Sequence, residues 1–579
     1  MGGLKKVGVL VFVLSVFASC GVNKSTVESK KANENKVEQI ATLSAGTPVQ
    51  SLDPATAVDQ TSVTLLANVM EGLYRLDEKN QPQPAIAAAQ PKISNSGKTY
   101  TIVIRDGAKW ADGTDITADD FVTAWQRVLD PKTASPNVEL FAAIKNAKEI
   151  SIGKQQKETL GVKSKGNKTI EIELEEPTPY FTDLLALTAY FPVQQNAVKE
   201  YGKEYGTTKE NIVTNGAFTL TDLNGVGISD KWTISKNPKY WDKKHVTMEK
   251  IKFQVVKDIN TGINLYNDGQ LDDAPVAGEY SKQLENNKDF IRELSATTMF
   301  LEVNQRNKKS ITSNKHARQA INFAIDREAI SNKILTNGSI PAKGVVPSKL
   351  VYNPKTGKDF TNSSLVYLDK SKAKDSWEKA KKELKGTDLS IDIMVNEEDL
   401  SKKLGEYLQN ELQDTLDGLK VSVTAVPATL QTERLNSGNF MIALSGWQAD
   451  FADPVSFLAN FESKSSLNHG GYANEEYDKL LKNNSSKRLQ ELKDAEKLIL
   501  EDAGVIPLLQ IGNAKLRNQK ISEMKVHSIG AKYDYKTMEI NKKPLLREVF
   551  FICQILSSQH LQKYQQLYLK KRELQNFLF

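Results

Sequence analysis

The chain has 579 residues, with 77 basic and 71 acidic side chains and a formal net charge of +6. Its 39% hydrophobic and 26% charged residues are those of an ordinary globular chain, which excludes a collagen, a disulfide scaffold, a disordered chain and a multi-span membrane protein. At about 150 residues per domain, three or four domains' worth of chain is expected. The basic excess sits at the ends, in Lys5, Lys6 and the stretch 544–579, so the body is nearly neutral and carries no footprint for nucleic acid.

The first element is an export signal, residues 1–19. Lys5 and Lys6 precede the apolar run VGVLVFVLSVF, and Ala18 and Ser19 precede Cys20. The run is too short to span a bilayer, which takes about 20 apolar residues. FASC resembles a bacterial lipobox, although Phe17 stands where Leu is usual. That resemblance implies that the Cys20 thiol receives the lipid and becomes the new N-terminus. The alternative is a secreted chain with a chance cysteine. The polar stretch 20–41 reads as a flexible tether.

The body opens with LSAGTPVQSLDP, a strand broken by a Pro turn. Leu65, Val69 and Leu73 then have helical spacing. Tyr100, Ile102 and Ile104 alternate as in a strand that ends in a DG turn. Thr117 and Asp120 form a capping-box-like pair ahead of the stripe Phe121, Ala124, Trp125 and Val128. Segments 168–174 and 231–235 alternate again. From about 307 the pattern becomes α/β: HARQAINFAIDREAI and 400–416 as helices, LSIDIMV, KVSVTAV and FMIALS as strands. Such units predict a mainly parallel sheet. Ligands bind such sheets where loops leave the carboxyl ends of strands, which singles out Trp447, Asp450 and Asp453.

The chemistry of an enzyme is hard to find. The histidines at 245, 316, 469, 527 and 560 are far apart, with no HExxH and no Cys/His ligand pair, so no metal site is expected. Gly97-Lys98-Thr99 ends like a P-loop, but Lys92 stands where its first Gly belongs. No GxSxG turn exists. Asp112, Asp115, Asp119 and Asp120 read as a turn and a helix cap. Asp450 and Asp453 would serve a hydrolase only at a defined separation, which sequence does not fix. No enzyme activity and no cofactor are expected.

Seven stretches in order resemble the extracytoplasmic solute-binding proteins of oligopeptide ABC transporters, the OppA-like group: PVQSLDP (48–54), VMEGLYRLD (69–77), the block 100–125, NGAFTL (215–220), NPKYWD (237–242), ARQAINFAIDREAI (317–330) and GWQADFADPVSFL (446–458), followed by HGGYANEEYDKLL (469–481). The resemblance covers roughly 42–542. It implies an α/β, two-lobed periplasmic-binding-protein-like fold with a hinge and an extra subdomain. By analogy lobe I comprises 42–88, 212–306 and 524–543, the subdomain 89–211, and lobe II 307–523. It implies a lipid-anchored monomer on the outer face of the bacterial membrane, holding an oligopeptide between its lobes and delivering it to the permease subunits of an ABC transporter.

In the family the acid of the GW–x–A–D motif holds the ligand's ammonium. Here that residue is Asp450, with Trp447 beside it. A desolvated ammonium needs such a partner, while the peptide backbone is met by strand-like hydrogen bonds. Val49 and Gln50 match the VQSLDP segment, and Tyr472 and Asn474 a stretch near the cleft, where packing is the alternative to contact. Asp453, before Pro454, reads as a helix cap. Pro48 and Leu444 stand where some members carry an acid and an arginine. Arg434, Arg318 or a lysine is then left to hold the ligand carboxylate. A dedicated peptide-pheromone receptor of the same fold is the nearest alternative, and a binder of haem or a nickel chelate a more distant one. Beyond Pro544 the composition shifts, and 544–579, with the free Cys553, is expected to be a non-homologous extension.

Overall fold

A computed structural model describes residues 37–361, 365–385, 388–482 and 487–541. Cys20, most of the tether and the stretch 544–579 lie outside the described residues. The chain builds three main sheets. The first has the strand order Ile40–Ala45, Lys250–Val255, Lys231–Lys236, Phe218–Asp222. Ala41 and Leu43, Ile251 and Phe253, and Trp232 and Ile234 alternate inward, as one buried face of a sheet requires. The second orders Lys92–Ser94, Thr99–Val103, Thr169–Glu173 and Val162–Ser164. Next to it lies the helix Ala118–Leu129, which starts with the expected capping box of Thr117 and Asp120 and buries Phe121, Ala124, Trp125 and Val128.

The third sheet has seven strands: Asp273–Val276, Val505–Arg517, Phe290–Val303, Ile442–Gln448, Ser390–Asn396 and Lys420–Val426 in order, with Ile340–Pro341 paired to Val505–Arg517. It corrects the mainly parallel sheet expected from sequence. Only Ser390–Asn396 is parallel to its neighbours; the other pairs are antiparallel. The cause is a pair of long strands, Phe290–Val303 and Val505–Arg517, inserted beside the α/β units. Their register shifts between Leu294 and Thr298. One end of Phe290–Val303 pairs beside Asp273–Val276, whose Asp273 accepts from Ser44 N at 2.7 Å; the other pairs with Ile442–Gln448. The long strands therefore tie the Asp273–Val276 edge to the α/β units in this two-lobed α/β fold. The expected lobe boundary at 306/307 falls after a strand already built into the seven-stranded sheet.

Helices Lys315–Ala324, Lys370–Glu383 and Asp399–Thr415 bury one core, including Trp377, Leu404, Leu408 and Ile393. Phe300, Phe457, Tyr477 and the helix Arg488–Glu501 build a second. Each large apolar side chain fully buried here contributes roughly 1.5–3 kcal/mol.

Several stretches that carry the family resemblance are joints of the fold. The helix Gln60–Val69 ends earlier than its spacing suggests, so Leu73 lies outside it. The reason is Gly216, whose Cβ would lie 2.5 Å from Val69 C. Asn215 N and Gly216 N both donate to Val69 O, at 3.2 and 2.9 Å, and close the helix end. Buried Glu71 accepts from Arg75 and from Trp241 Nε1, both at 2.7 Å, and from the Tyr240 hydroxyl. VMEGLYRLD and NPKYWD thus meet around one carboxylate, and NGAFTL holds the backbone beside it through Asn215.

Candidate functional site

The strand Ile442–Gln448 delivers the loop that follows it. Ala449 N donates to Ala296 O at 2.8 Å, and Asp450 N to Ser456 Oγ at 2.9 Å. Asp453 accepts from Val455 N at 2.9 Å, as a helix cap, and takes both Arg488 guanidinium nitrogens at 2.7 Å. Phe451 stacks on Tyr180, with centroids 4.4 Å apart. The loop is thus pinned on both sides of Asp450, and no hydrogen bond or ion pair engages the Asp450 carboxylate among the described residues.

Asp450 lines a cavity of about 170 Å³ whose walls come from five separate segments: Ala57 to Val63, Asn137 with Leu140, Leu187 to Ala189, Gln448 with Asp450 itself, and Gly530. The side chain is exposed at the open mouth of this cavity. Partial desolvation without a neighbouring cation raises its carboxyl above the usual carboxylate range. Chemically this is an acceptor for a cation that the protein does not supply.

The other expected site residues divide. Trp447 is half-buried, pairs through its backbone with Thr298 and packs against the second core, behind the Asp450 cavity rather than in its lining. Its Nε1 is buried and has no hydrogen-bond partner among the described residues. Val49 is buried, and its carbonyl accepts from Gly227 N at 2.6 Å. Gln50 is exposed and lines a neighbouring depression that shares Val58 with the Asp450 cavity.

Tyr472 and Asn474 line neither the Asp450 cavity nor the depression beside it. Tyr472 is buried, and its hydroxyl donates to Asp502 at 3.0 Å. Asn474 donates to the same carboxylate at 3.3 Å and accepts from Glu476 N and Tyr477 N, capping the helix Glu475–Lys482. Both side chains are held by the protein's own groups. Arg318 is also removed from the list of carboxylate holders. It is buried, with its guanidinium donating to the carbonyls of Thr312, Ser313, Asp502 and Ala503. Arg434 is half-buried on the helix Ala428–Ser437 and lines neither this cavity nor the larger one described next.

Sequence reasoning missed a larger cavity, of about 560 Å³, walled by Trp232, Phe253, Tyr533 and Tyr535. Trp232 and Phe253 are cross-strand partners, which alternation alone reads as core. Gln60, at the start of its helix, lines both cavities, which therefore lie on either side of one side chain.

Residues 81–469 match the family model for the middle region of bacterial extracellular solute-binding proteins, family 5. The chain belongs to this family. The dipeptide-binding protein of Lactococcus lactis subsp. cremoris is 33% identical over 92% of this chain and 99% of its own length. Among solved structures, the pheromone receptor PrgZ is 66% identical, covering 87% of this chain and 100% of its own, with a TM-score of 0.69. The unliganded open form of the murein tripeptide-binding protein MppA is only 28% identical, yet aligns with a TM-score of 0.77 over 88% of this chain and 98% of its own. Another structure of MppA, from Escherichia coli, gives 0.65 at the same identity. The family is one of solute-binding proteins that work outside the cytoplasm. No helix among the described residues is long and apolar enough to cross a membrane.

Proposed function

We propose that this solute-binding protein captures oligopeptides in the cleft at Asp450 and delivers them to the permease of an ABC transporter. The observation that carries this reading is the Asp450 carboxylate, which lines an open cavity with no cation of its own. A peptide's N-terminal ammonium supplies that cation. Relatives named as dipeptide- and oligopeptide-binding proteins support the ligand class. The protein acts as a monomer and does no chemistry on its ligand. Cys20 carries a lipid that holds it to the outer face of the membrane, and Cys20→Ser releases it into the medium or leaves an unprocessed precursor.

Closure of the lobes completes the site. The better agreement with the unliganded open form of MppA than with its other structure, at equal identity, supports an open resting arrangement. A ligand that touches both lobes then favours the closed state. Calorimetry with free and N-acetylated peptides tests the reading: acetylation removes the ammonium and is expected to abolish most of the affinity. Equal affinity for both forms rejects the role of Asp450.

A second reading, a dedicated pheromone receptor, is favoured by the 66% identity to PrgZ over that protein's full length. Native mass spectrometry of protein purified from its cells separates the two. A general uptake receptor carries a ladder of peptide masses, whereas a dedicated receptor carries one. A bound haem or metal chelate would displace both readings.

A further inference from the structure

The larger cavity has an uneven character. One wall is an aromatic ladder. Trp232 stacks on Phe253 with centroids 5.3 Å apart, Phe253 meets Tyr535 at 5.7 Å, and Tyr535 stacks on Tyr533 at 6.1 Å. The ladder ends in charge. Lys515, Arg517 and Lys532 all lie over the Tyr533 ring, 5.2 to 5.6 Å from its centroid. Lys515 pairs with Asp273; Arg517 and Lys532 share Glu293. Among these paired groups three cations face two carboxylates. Glu293 also accepts from the Tyr533 hydroxyl at 2.7 Å, and the cations overcome its burial and hold it down at about 2. Burial, reinforced by Lys515, lowers Lys532 below the usual ammonium range despite Glu293. This cluster therefore lacks one negative charge, as the Asp450 cavity lacks one positive charge.

We propose that this cavity receives the carboxyl-terminal residue of the bound peptide, taking its carboxylate at Lys532 and an apolar side chain against the Trp232–Phe253–Tyr535 ladder. The proposal rests on the peptide reading above and sets its direction. Gln60 lines both cavities, so the two are adjacent and the larger one is within reach of a chain whose first residue is held at Asp450. The two unmatched charges are opposite in sign, as are the two ends of a peptide. The ladder selects apolar or aromatic last residues, because burying such a side chain is favourable only against an apolar wall.

The test uses the full chain and alanine-based peptides of increasing length that end in phenylalanine, with free termini, with an N-acetyl group, or with a C-terminal amide. At the length that binds tightest, amidation is expected to weaken binding to the wild type by about 10- to 100-fold, the value of a charge-assisted hydrogen bond. Lys532→Met should lose that discrimination while Lys532→Arg retains it. Glu293 keeps Arg517 and Tyr533 in both variants. Gly46 lines the cavity, and a Cβ there meets no heavy atom within 4 Å. Gly46→Leu therefore fills the cavity without a clash, and should weaken the phenylalanine-ended peptide while sparing the alanine-ended one.

If acetylation weakens binding and amidation does not, the carboxylate site is wrong and the Asp450 site stands. The proposal is also overturned if Lys532→Met weakens acid and amide equally, or if Gly46→Leu weakens both peptides equally. If no free peptide binds at any length, the peptide reading falls, and this inference with it.

Discussion

Two regions of the second lobe were singled out by the same family resemblance, and they turn out to be opposites. Around Tyr472 the polar side chains of Tyr472, Asn474 and Asp502 find partners inside the protein. Asp502 accepts from Tyr472 and Asn474 and pairs with Lys315, and the Asn474 oxygen closes a helix. Around Asp450 the pinning groups are satisfied in the same way, but the Asp450 carboxylate is not. A partly desolvated carboxylate without a partner gains more than a fully solvated one when a ligand's cation completes it. The difference separates scaffold from binding group better than sequence motif does. Asp450 and Asp453 make the same contrast within three residues.

The sharpest break of that comparison is at Asp453. Its carboxylate and Arg488 form a two-pronged pair with side chains only 11% and 14% exposed. Asp453→Ala leaves a guanidinium without its partner and unpins the loop. A loss of about 3–5 kcal/mol in unfolding free energy is expected by denaturant titration. A loss below about 1 kcal/mol would mean that the pair is solvated and the loop is held by other contacts.

Asp450→Asn should do the reverse. Once the lobes close on a ligand, removing one member of the ammonium–carboxylate pair costs about 2–5 kcal/mol, or roughly 30- to 4000-fold in affinity. The melting temperature should be unchanged or slightly higher, since the variant no longer carries a partly desolvated charge. Affinity should also depend on acid. The free carboxyl titrates above its ordinary value, and the ammonium favours its ionised form. Binding is therefore full above that raised value and is lost as pH falls through it. A pH-independent affinity down to the ordinary aspartate range would argue against Asp450 as the ammonium's partner.

A smaller effect sharpens the scaffold side. Tyr472→Phe removes one hydrogen bond from Asp502, which keeps Lys315 and Asn474. About 1 kcal/mol of stability should be lost, with peptide affinity unchanged within error. A selective loss of affinity would return Tyr472 to the site.

Much of this was legible in the sequence. Alternation located Thr99–Val103, Thr169–Glu173 and Lys231–Lys236, and the capping box fixed the start of Ala118–Leu129. The position of Asp450, two residues beyond Ile442–Gln448, followed from strand order. Three things were not legible. A helix end set by the backbone of Gly216 has no local signal in 60–73. The antiparallel insertion of Phe290–Val303 and Val505–Arg517 depends on partners more than 200 residues apart. Tyr472 and Asn474 lie close to the motif loop in sequence, but whether a polar side chain is satisfied by its own fold is decided by Asp502, which comes from another helix end.

The mildest test concerns a carboxyl that seems to defy the comparison. Glu496 is 4% exposed and has no ion-pair partner among the described residues, yet it lies in the core of the second lobe, with Val346 N donating to it at 2.9 Å. The comparison survives if Glu496 is uncharged in the resting protein. Burial pushes its carboxyl up to about 7, so below that pH it is mostly a neutral acid and no charge is stranded. The sign of the consequence is fixed. A folded-state value above the unfolded one means that the native protein holds the proton more tightly. The stabilisation is fully present below the unfolded glutamate value and is lost as pH rises toward about 7. Thermal unfolding of the wild type should therefore show a decline across that window. Glu496→Gln, which keeps an acceptor for Val346 N, should flatten the decline and leave peptide affinity alone. If the slope persists in the variant, Glu496 is ionised inside the fold, and an unpaired, desolvated carboxylate would no longer mark a ligand site.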